Sequence, residues 1–254
     1  MQNNTFPSLF VGQNIVKLKE IDSTNNYLKD LLSNCEPLQE GTVIMADTQF
    51  AGRGQRGNVW LSEAGKNLTI SILLKPAFLA ASQQFELNKV ISLGVTDCLT
   101  KLLGEDCKVK WPNDIYIKDQ KIGGILIENT LKGAFLKDSV VGIGLNVNQN
   151  IFADGLKATS VANILQREYH LNQLLSELCY YIEGRYLQLK TNKKDLLYAD
   201  YMNRLFRFNQ LSDFIINHEK VSARIIDVNP NGKLIVSIAG DIQPFDFKEI
   251  AFVI

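Results

Sequence analysis

The stretch from Lys108 to Glu128 reads KVKWPNDIYIKDQKIGGILIE, and few folds accommodate it. Val109 and Trp111 alternate with Lys108 and Lys110, as in a half-buried strand. Pro112 then fixes φ, and the side chains of Asn113 and Asp114 bond readily to nearby backbone, so the chain turns. Ile115 and Ile117, and later Ile122, Ile125 and Ile127, resume a β-branched strand pattern. Gly123-Gly124 falls inside the second of these strands, where glycine marks a bulge or the close approach of another group. Lys110 and Lys121 flank the turn. A strand, a rigid turn and a second strand, with a cation on each side and bare backbone, form either a floor for an anionic ligand or a plain hairpin with solvated lysines.

The rest of the chain decides between these. Lys and Arg number 27, as do Asp and Glu, so the formal charge is zero. That argues against a general binder of nucleic acid or anionic membranes. The N-terminus shows no basic region followed by an apolar run, and no stretch has the ~20 apolar residues of a spanning helix. Cys35, Cys98, Cys107 and Cys179 are scattered, which reads as reduced thiols of a cytoplasmic protein without a zinc site.

Asn14 to Ile21 alternates as a first strand. Asp22-Ser23-Thr24-Asn25 opens a helix over Asn26 to Leu32, its hydroxyls either capping that helix or facing a ligand. Thr42 to Ala46 is a short buried strand. The following loop contains GRGQRG at Gly52 to Gly57, and is expected to be mobile and able to wrap a phosphate. Trp60 either packs at the loop base or closes over an aromatic ring such as adenine. Asn67 to Leu74 is a strand, Phe85 to Leu103 a helix, and SVVGIGLNVN from Ser139 to Asn148 a strand whose glycines let a ligand lie against the backbone. Asn150 to Ser160 is a loop, and helices follow over Asn172 to Lys190 and from Lys193 to Phe208. From Leu211 short strands separated by Asn229–Gly232 and Gly240-Asp241 turns suggest a small β-barrel. The expected architecture is α+β. Residues 1–207 form a mixed sheet with helices mainly on one face, and residues 208–254 form an SH3-like barrel.

The motifs STN (Ser23–Asn25), GRGQRG, KWPND (Lys110–Asp114), KIGGILIE (Lys121–Glu128) and GIGLNVN (Gly142–Asn148) occur in that order. Together they resemble the biotin protein ligases, over the chain from about residue 15 to its end. The resemblance implies a two-step reaction. ATP and biotin give biotinyl-5′-AMP, with Mg²⁺ shielding the triphosphate, and a lysine of a biotin carboxyl carrier domain then takes the biotin. Both first-step reactants are anions, so cations must sit where they meet. By the resemblance Lys110, Arg53 and Lys121 are those cations, and Asp114 either helps to hold metal or orients the incoming lysine. Ser23, Thr24, Asn25 and Gln49 would serve the ureido head of biotin, whose carbonyl and N–H groups suit hydroxyl and amide partners. Gly52, Arg53, Lys110, Gly123 and Gly124 would complete that site. Arg53, Gly54, Gln55, Arg56, Gly57, Trp60, Asn67, Lys110, Asn113, Lys121 and Asn146 would surround ATP and the adenylate.

Two departures matter. GRGRRG is frequent in the family, and Gln55 here removes one cation, so weaker retention of the intermediate is expected unless Arg56 compensates. Family members that repress transcription carry an N-terminal winged helix, and about a dozen residues before the first strand are too few for one. The expectation is a ligase without DNA binding, monomeric or homodimeric. Two rivals are a lipoate or octanoate ligase, which needs no ureido partners, and a biotin sensor that has lost its cations. The residues at Ser23, Thr24, Gln49, Arg53, Lys110 and Lys121 disfavour both.

Overall fold

The β-branched runs of the first part of the chain pair into one mixed sheet. The computed structural model describes residues 8–34, 37–104 and 107–254, with Arg56 as backbone only; Cys35 lies outside them. The strands are β1 (Ile15–Ile21), β2 (Val43–Gln49), β3 (Leu68–Leu74), β4 (Cys107–Lys110), β5 (Asp114–Ile117), β6 (Gln120–Lys132) and β7 (Phe135–Leu145). They lie in the order β1-β2-β3-β7-β6-β5-β4. Only β1 and β2 run parallel; the other neighbours are antiparallel. KWPND is thus the turn from β4 to β5, and its Trp111–Pro112 peptide is cis.

Alternation along the strands sorts side chains to two faces of very different character. On one face Ile70, Ile72, Ile125, Val141 and Ile143 share a core with α2 (Gln84–Leu103). A short α3 (Val161–Leu165), α4 (Leu171–Lys190) and α5 (Lys194–Arg204) complete that layer. Helix α2 is buried nearly all round because α4 covers its outer side. The two cross at Gly94, where a Cβ would stand 2.7 Å from Ile182 Cα. The opposite face has a single helix, α1 (Thr24–Asn34), whose Leu28 packs on Ile44, Leu73 and Val140. Beyond α1 that face carries Thr69, Ser71, Gly142 and Gly144, too small or too polar to recruit a second helix.

Five further strands form an antiparallel sheet: β8 (Leu211–Ile216), β9 (Glu219–Val228), β10 (Leu234–Ile238), β11 (Asp241–Phe245) and β12 (Ile250–Phe252), in the order β11-β10-β9-β8-β12. Its outer strands are not paired with each other among the described residues, so the expected small β-domain is an open sheet by its pairings. The single strand expected from Phe245 to Val253 is broken. The Asp246 N–H donates to Glu249 Oε2 at 2.6 Å, and Lys248 has a φ of 78°. The connection from α5 is stitched to both sheets. Leu205 bridges Val109, the Phe206 N–H donates to Val109 O at 2.8 Å, and Phe208 bridges Ile225. Trp111 Nε1 donates to Gly232 O at 2.8 Å in the β9–β10 turn. Cys98, Cys107 and Cys179 are buried thiols, and burial raises the pKa of each.

Candidate active site

A cavity of about 370 Å³ opens on the sheet face that α1 leaves bare. Its floor is strand backbone and small side chains: Thr69 on β3, Gly142 and Gly144 on β7, and Gly124 on β6. Register explains why they meet, since Thr69 pairs with Gly144, and Gly144 pairs with Gly124, which pairs with Asp114. A Cβ on Gly142 would stand 2.5 Å from Asn25 Oδ1, and one on Gly144 would run into the ring of Trp60. Glycine here is a steric requirement of the two side chains lying across it.

At one end the start of α1 builds a polar recess. The backbone N–H and Oγ1 of Thr24 both donate to Gln49 Oε1, at 2.8 and 3.0 Å. Ser71 Oγ lies 2.8 Å from Thr24 Oγ1 and 2.6 Å from Asn25 Oδ1. Ser23, Thr24 and Asn25 are all buried, although the chain leaves the recess open to the cavity. Such a set of fixed hydroxyl and amide groups matches a small polar ring that both donates and accepts.

Cations converge on the middle of the cavity. Lys121 Nζ lies 2.6 Å from Asp114 Oδ1, and Lys110 Nζ 3.8 Å from Asp114 Oδ2. The β-bulge between Ile115 and Tyr116 brings Lys121 beside the turn. Burial, the largest influence, lowers the pKa of Lys110; Asp114 opposes this, while Lys121 and Arg207 add to it. Arg53 reaches in from the loop but is engaged elsewhere. Its guanidinium donates to Glu128 Oε1 at 3.0 Å, to Glu128 Oε2 at 3.3 Å and to Asn26 Oδ1 at 2.7 Å. Glu128 also accepts from Lys29 and Asn25. Burial alone would raise its pKa, but the bonds from Lys29 and Asn25 and the charges of Lys29 and Arg53 outweigh that and hold it low.

The loop is a closed hairpin rather than an open strap. Arg53 bridges Val59, the Gly54 N–H donates to Asn58 O at 2.7 Å, and the Trp60 N–H donates to Gly52 O at 3.0 Å. Trp60 lies over Gly144 with Lys121 Nζ 5.7 Å from its ring centroid, and its buried Nε1 lacks a hydrogen-bond partner among the described residues. An unmet buried donor costs about 1–3 kcal/mol.

The cavity wall therefore brings together Ser23, Thr24, Asn25, Gln49, Arg53, Gly54, Gln55, Trp60, Lys110, Asn113, Asp114, Lys121 and Gly124. Gly52, Gly57, Gly123, Asn67 and Asn146 are not in that wall. Asn67 braces the following loop, accepting from the Val147 N–H at 2.8 Å and donating to Gln149 Oε1 at 2.6 Å. Asn146 donates to Thr159 O at 3.0 Å. The side chain of Arg56 lies outside the described structure. Sequence reading missed one whole side of the cavity. Phe247, Lys248, Ile250, Ala251 and Phe252 come from β12 and the turn before it. Only the size of their separation in sequence from KWPND hid them; nothing local marks them as site residues.

Residues 18–146, half of the chain, match the model of the biotin/lipoate A/B protein ligase family. The chain belongs to that family. This member of the biotin/lipoate protein ligases is 31% identical over 248 residues to the bifunctional ligase/repressor BirA of Salmonella typhimurium, covering 94% of this chain and 74% of that protein. It is 36% identical over 134 residues to the biotin–[acetyl-CoA-carboxylase] ligase of Paracoccus denitrificans, covering 51% of this chain and 53% of that one. The biotin protein ligase of Aquifex aeolicus, solved in complex with biotin and ATP, superposes with a TM-score of 0.79 at 25% identity, covering 95% of this chain and 99% of that one. The family match runs from the middle of β1 to the end of β7 and carries the recess, the glycine floor and the lysines.

Proposed function

We propose that this cavity is where a biotin protein ligase joins biotin to AMP and passes it on to a lysine of a biotin carboxyl carrier domain. The observation that carries the reading is the pair of lysines at Asp114, set between a buried polar recess and a tryptophan lying on bare strand backbone. The recess takes the ureido ring. The tail then runs along the glycine floor and delivers its carboxylate to Lys110 and Lys121. Trp60 and the Gly54–Gln55 side of the loop receive the nucleotide.

In the first step a carboxylate oxygen attacks the α-phosphorus, and the bond to the β-phosphate oxygen breaks. Lys110 and Lys121 offset the negative charge of both partners, which would otherwise repel. Asp114 holds these lysines near one another while engaging Lys110 only loosely. Mg²⁺ would enter with the nucleotide and shield the charge of its triphosphate, with Asp114 the carboxylate in the cavity wall. Among the described residues there is no cluster of three or more His, Cys, Asp or Glu. In the second step the acceptor amine attacks the acyl carbon, the anhydride C–O bond breaks and AMP leaves. Arg53 bonds to Glu128 and Asn26 through its two terminal nitrogens, so turning that end of the guanidinium to the nucleotide means giving up those bonds.

The test is ATP–pyrophosphate exchange with Mg²⁺ and biotin, lipoate or octanoate offered separately. Biotin alone should support exchange. Exchange with lipoate or octanoate instead would move the chain to the other branch of its family, and binding of biotin without exchange would make it a sensor.

A further inference from the structure

Lys110 is the cation at the centre of the site, yet it has no hydrogen-bond partner among the described residues. Its nearest carboxylate oxygen is 3.8 Å away, because Asp114 turns its other oxygen to Lys121. What surrounds the ammonium is aromatic. Its Nζ lies 5.3 Å from the ring centroid of Tyr116 on β5 and 4.9 Å from that of Phe252 on β12. Both are within the ~6 Å over which a ring face attracts a cation. The rings are fixed in turn. Phe252 pairs with Phe214 across β12 and β8, with centroids 5.1 Å apart, and lies 6.1 Å from Phe206, which is 5.4 Å from Tyr116. These four rings form one chain running from the catalytic sheet into the C-terminal sheet.

A carboxylate holds an ammonium by occupying its N–H donors. Ring faces attract the same charge without accepting strong hydrogen bonds, so the three donors stay available to a ligand. We propose that Phe252, from the C-terminal sheet, is a positioning residue for the ligase reaction, clamping Lys110 with Tyr116 so that its ammonium points bare into the cavity. This rests on the reading of Lys110 given above. The groups facing Lys110 are Asp114 and the Tyr116 ring from β5, Lys121 from β6, and Arg207 from the segment before β8.

The test compares Phe252→Leu with Phe252→Tyr. Leucine keeps an apolar cover but removes the ring face; tyrosine keeps the ring. Phe252→Leu should lower kcat for biotin-dependent ATP–pyrophosphate exchange about tenfold. The basic limb of its pH profile should move to lower pH, because the ring favoured the charged amine. Phe252→Tyr should restore most of the rate and the position of the limb. The Lys110 Nζ titration, followed by ¹⁵N NMR in ligand-free protein, should fall in Phe252→Leu, and this readout does not depend on which acid is activated. Phe252→Met repeats the comparison if leucine prevents folding. An unmoved Lys110 titration, or equal losses in the leucine and tyrosine variants, overturns the proposal. An absence of exchange in the unaltered protein counts instead against the ligase reading.

Discussion

Lys110 sits where water reaches it poorly, and that has a consequence for pH. Its pKa is lowered by burial, so the unfolded chain binds this proton more tightly than the folded one. Stability from this residue therefore rises as pH climbs through the folded pKa, while any activity that needs the ammonium falls over the same range. Exchange should decline on the alkaline side below the ordinary lysine value of 10.5, and a pH–rate profile reads this directly. Replacing Lys110 by alanine should cut adenylation at least a hundredfold, with biotin-independent stability retained, as single-turnover kinetics would show. Gln55 supports a second expectation at this scale. It lines the cavity where a further cation is frequent, so Gln55→Arg should slow the release of biotinyl-AMP, and an unchanged release rate would remove the idea. Ser23, Thr24, Asn25, Arg53, Lys110 and Lys121 each sit in a short motif with its own chemistry, and the fold brings them to one cavity together with Gln49 and Trp60, which lie outside the motifs. Asn67 and Asn146, read as neighbours of the nucleotide, lie outside the cavity wall and bond to the Val147 N–H and to Thr159 O.

At the level of single elements, periodicity carried most of the reading. β3 was legible as a β-branched run buried along its whole length, and α2 from Leu87, Val90, Ile91, Val95, Leu99 and Leu102 recurring at helical spacing. β8 and the break between β11 and β12 were not, since a short strand holding Asp213 carries little period and the turn at Asp246 interrupts an otherwise apolar run. The glycine-bearing end of β7 gives the sharpest test. Gly142→Ala should push a methyl against Asn25, which Ser71 and Glu128 already hold, and Gly144→Ala should displace Trp60. Each should cost about 1–3 kcal/mol of stability, as overpacking does, while ligand affinity falls by more than that loss explains. Calorimetric titration beside thermal melts separates the two. Leu28→Ala on α1 should behave in the opposite way. It empties a small cluster at a cost of about 2–5 kcal/mol in denaturant unfolding, with the catalytic groups left in place in the molecules that remain folded.

Across the whole molecule the two sheets meet around KWPND. The Trp111 Nε1 bond to Gly232 anchors the β9–β10 turn to the KWPND turn. Trp111→Phe should cost about 0.5–1.5 kcal/mol and raise amide exchange in residues 229–233 before the rest of the C-terminal sheet responds. That the chain has a second, β-rich region was readable from its short strands and turns. That this region walls the cavity was not, because contacts between distant segments leave no periodic mark in either one. The wall from Phe247 to Phe252 has a consequence for anyone who treats the two regions as interchangeable modules. A chimera that grafts a relative's C-terminal sheet onto residues 1–207 replaces one side of the cavity along with the scaffold. Recombination at that boundary edits catalysis, and a library of such hybrids should sort by what they place opposite Lys110.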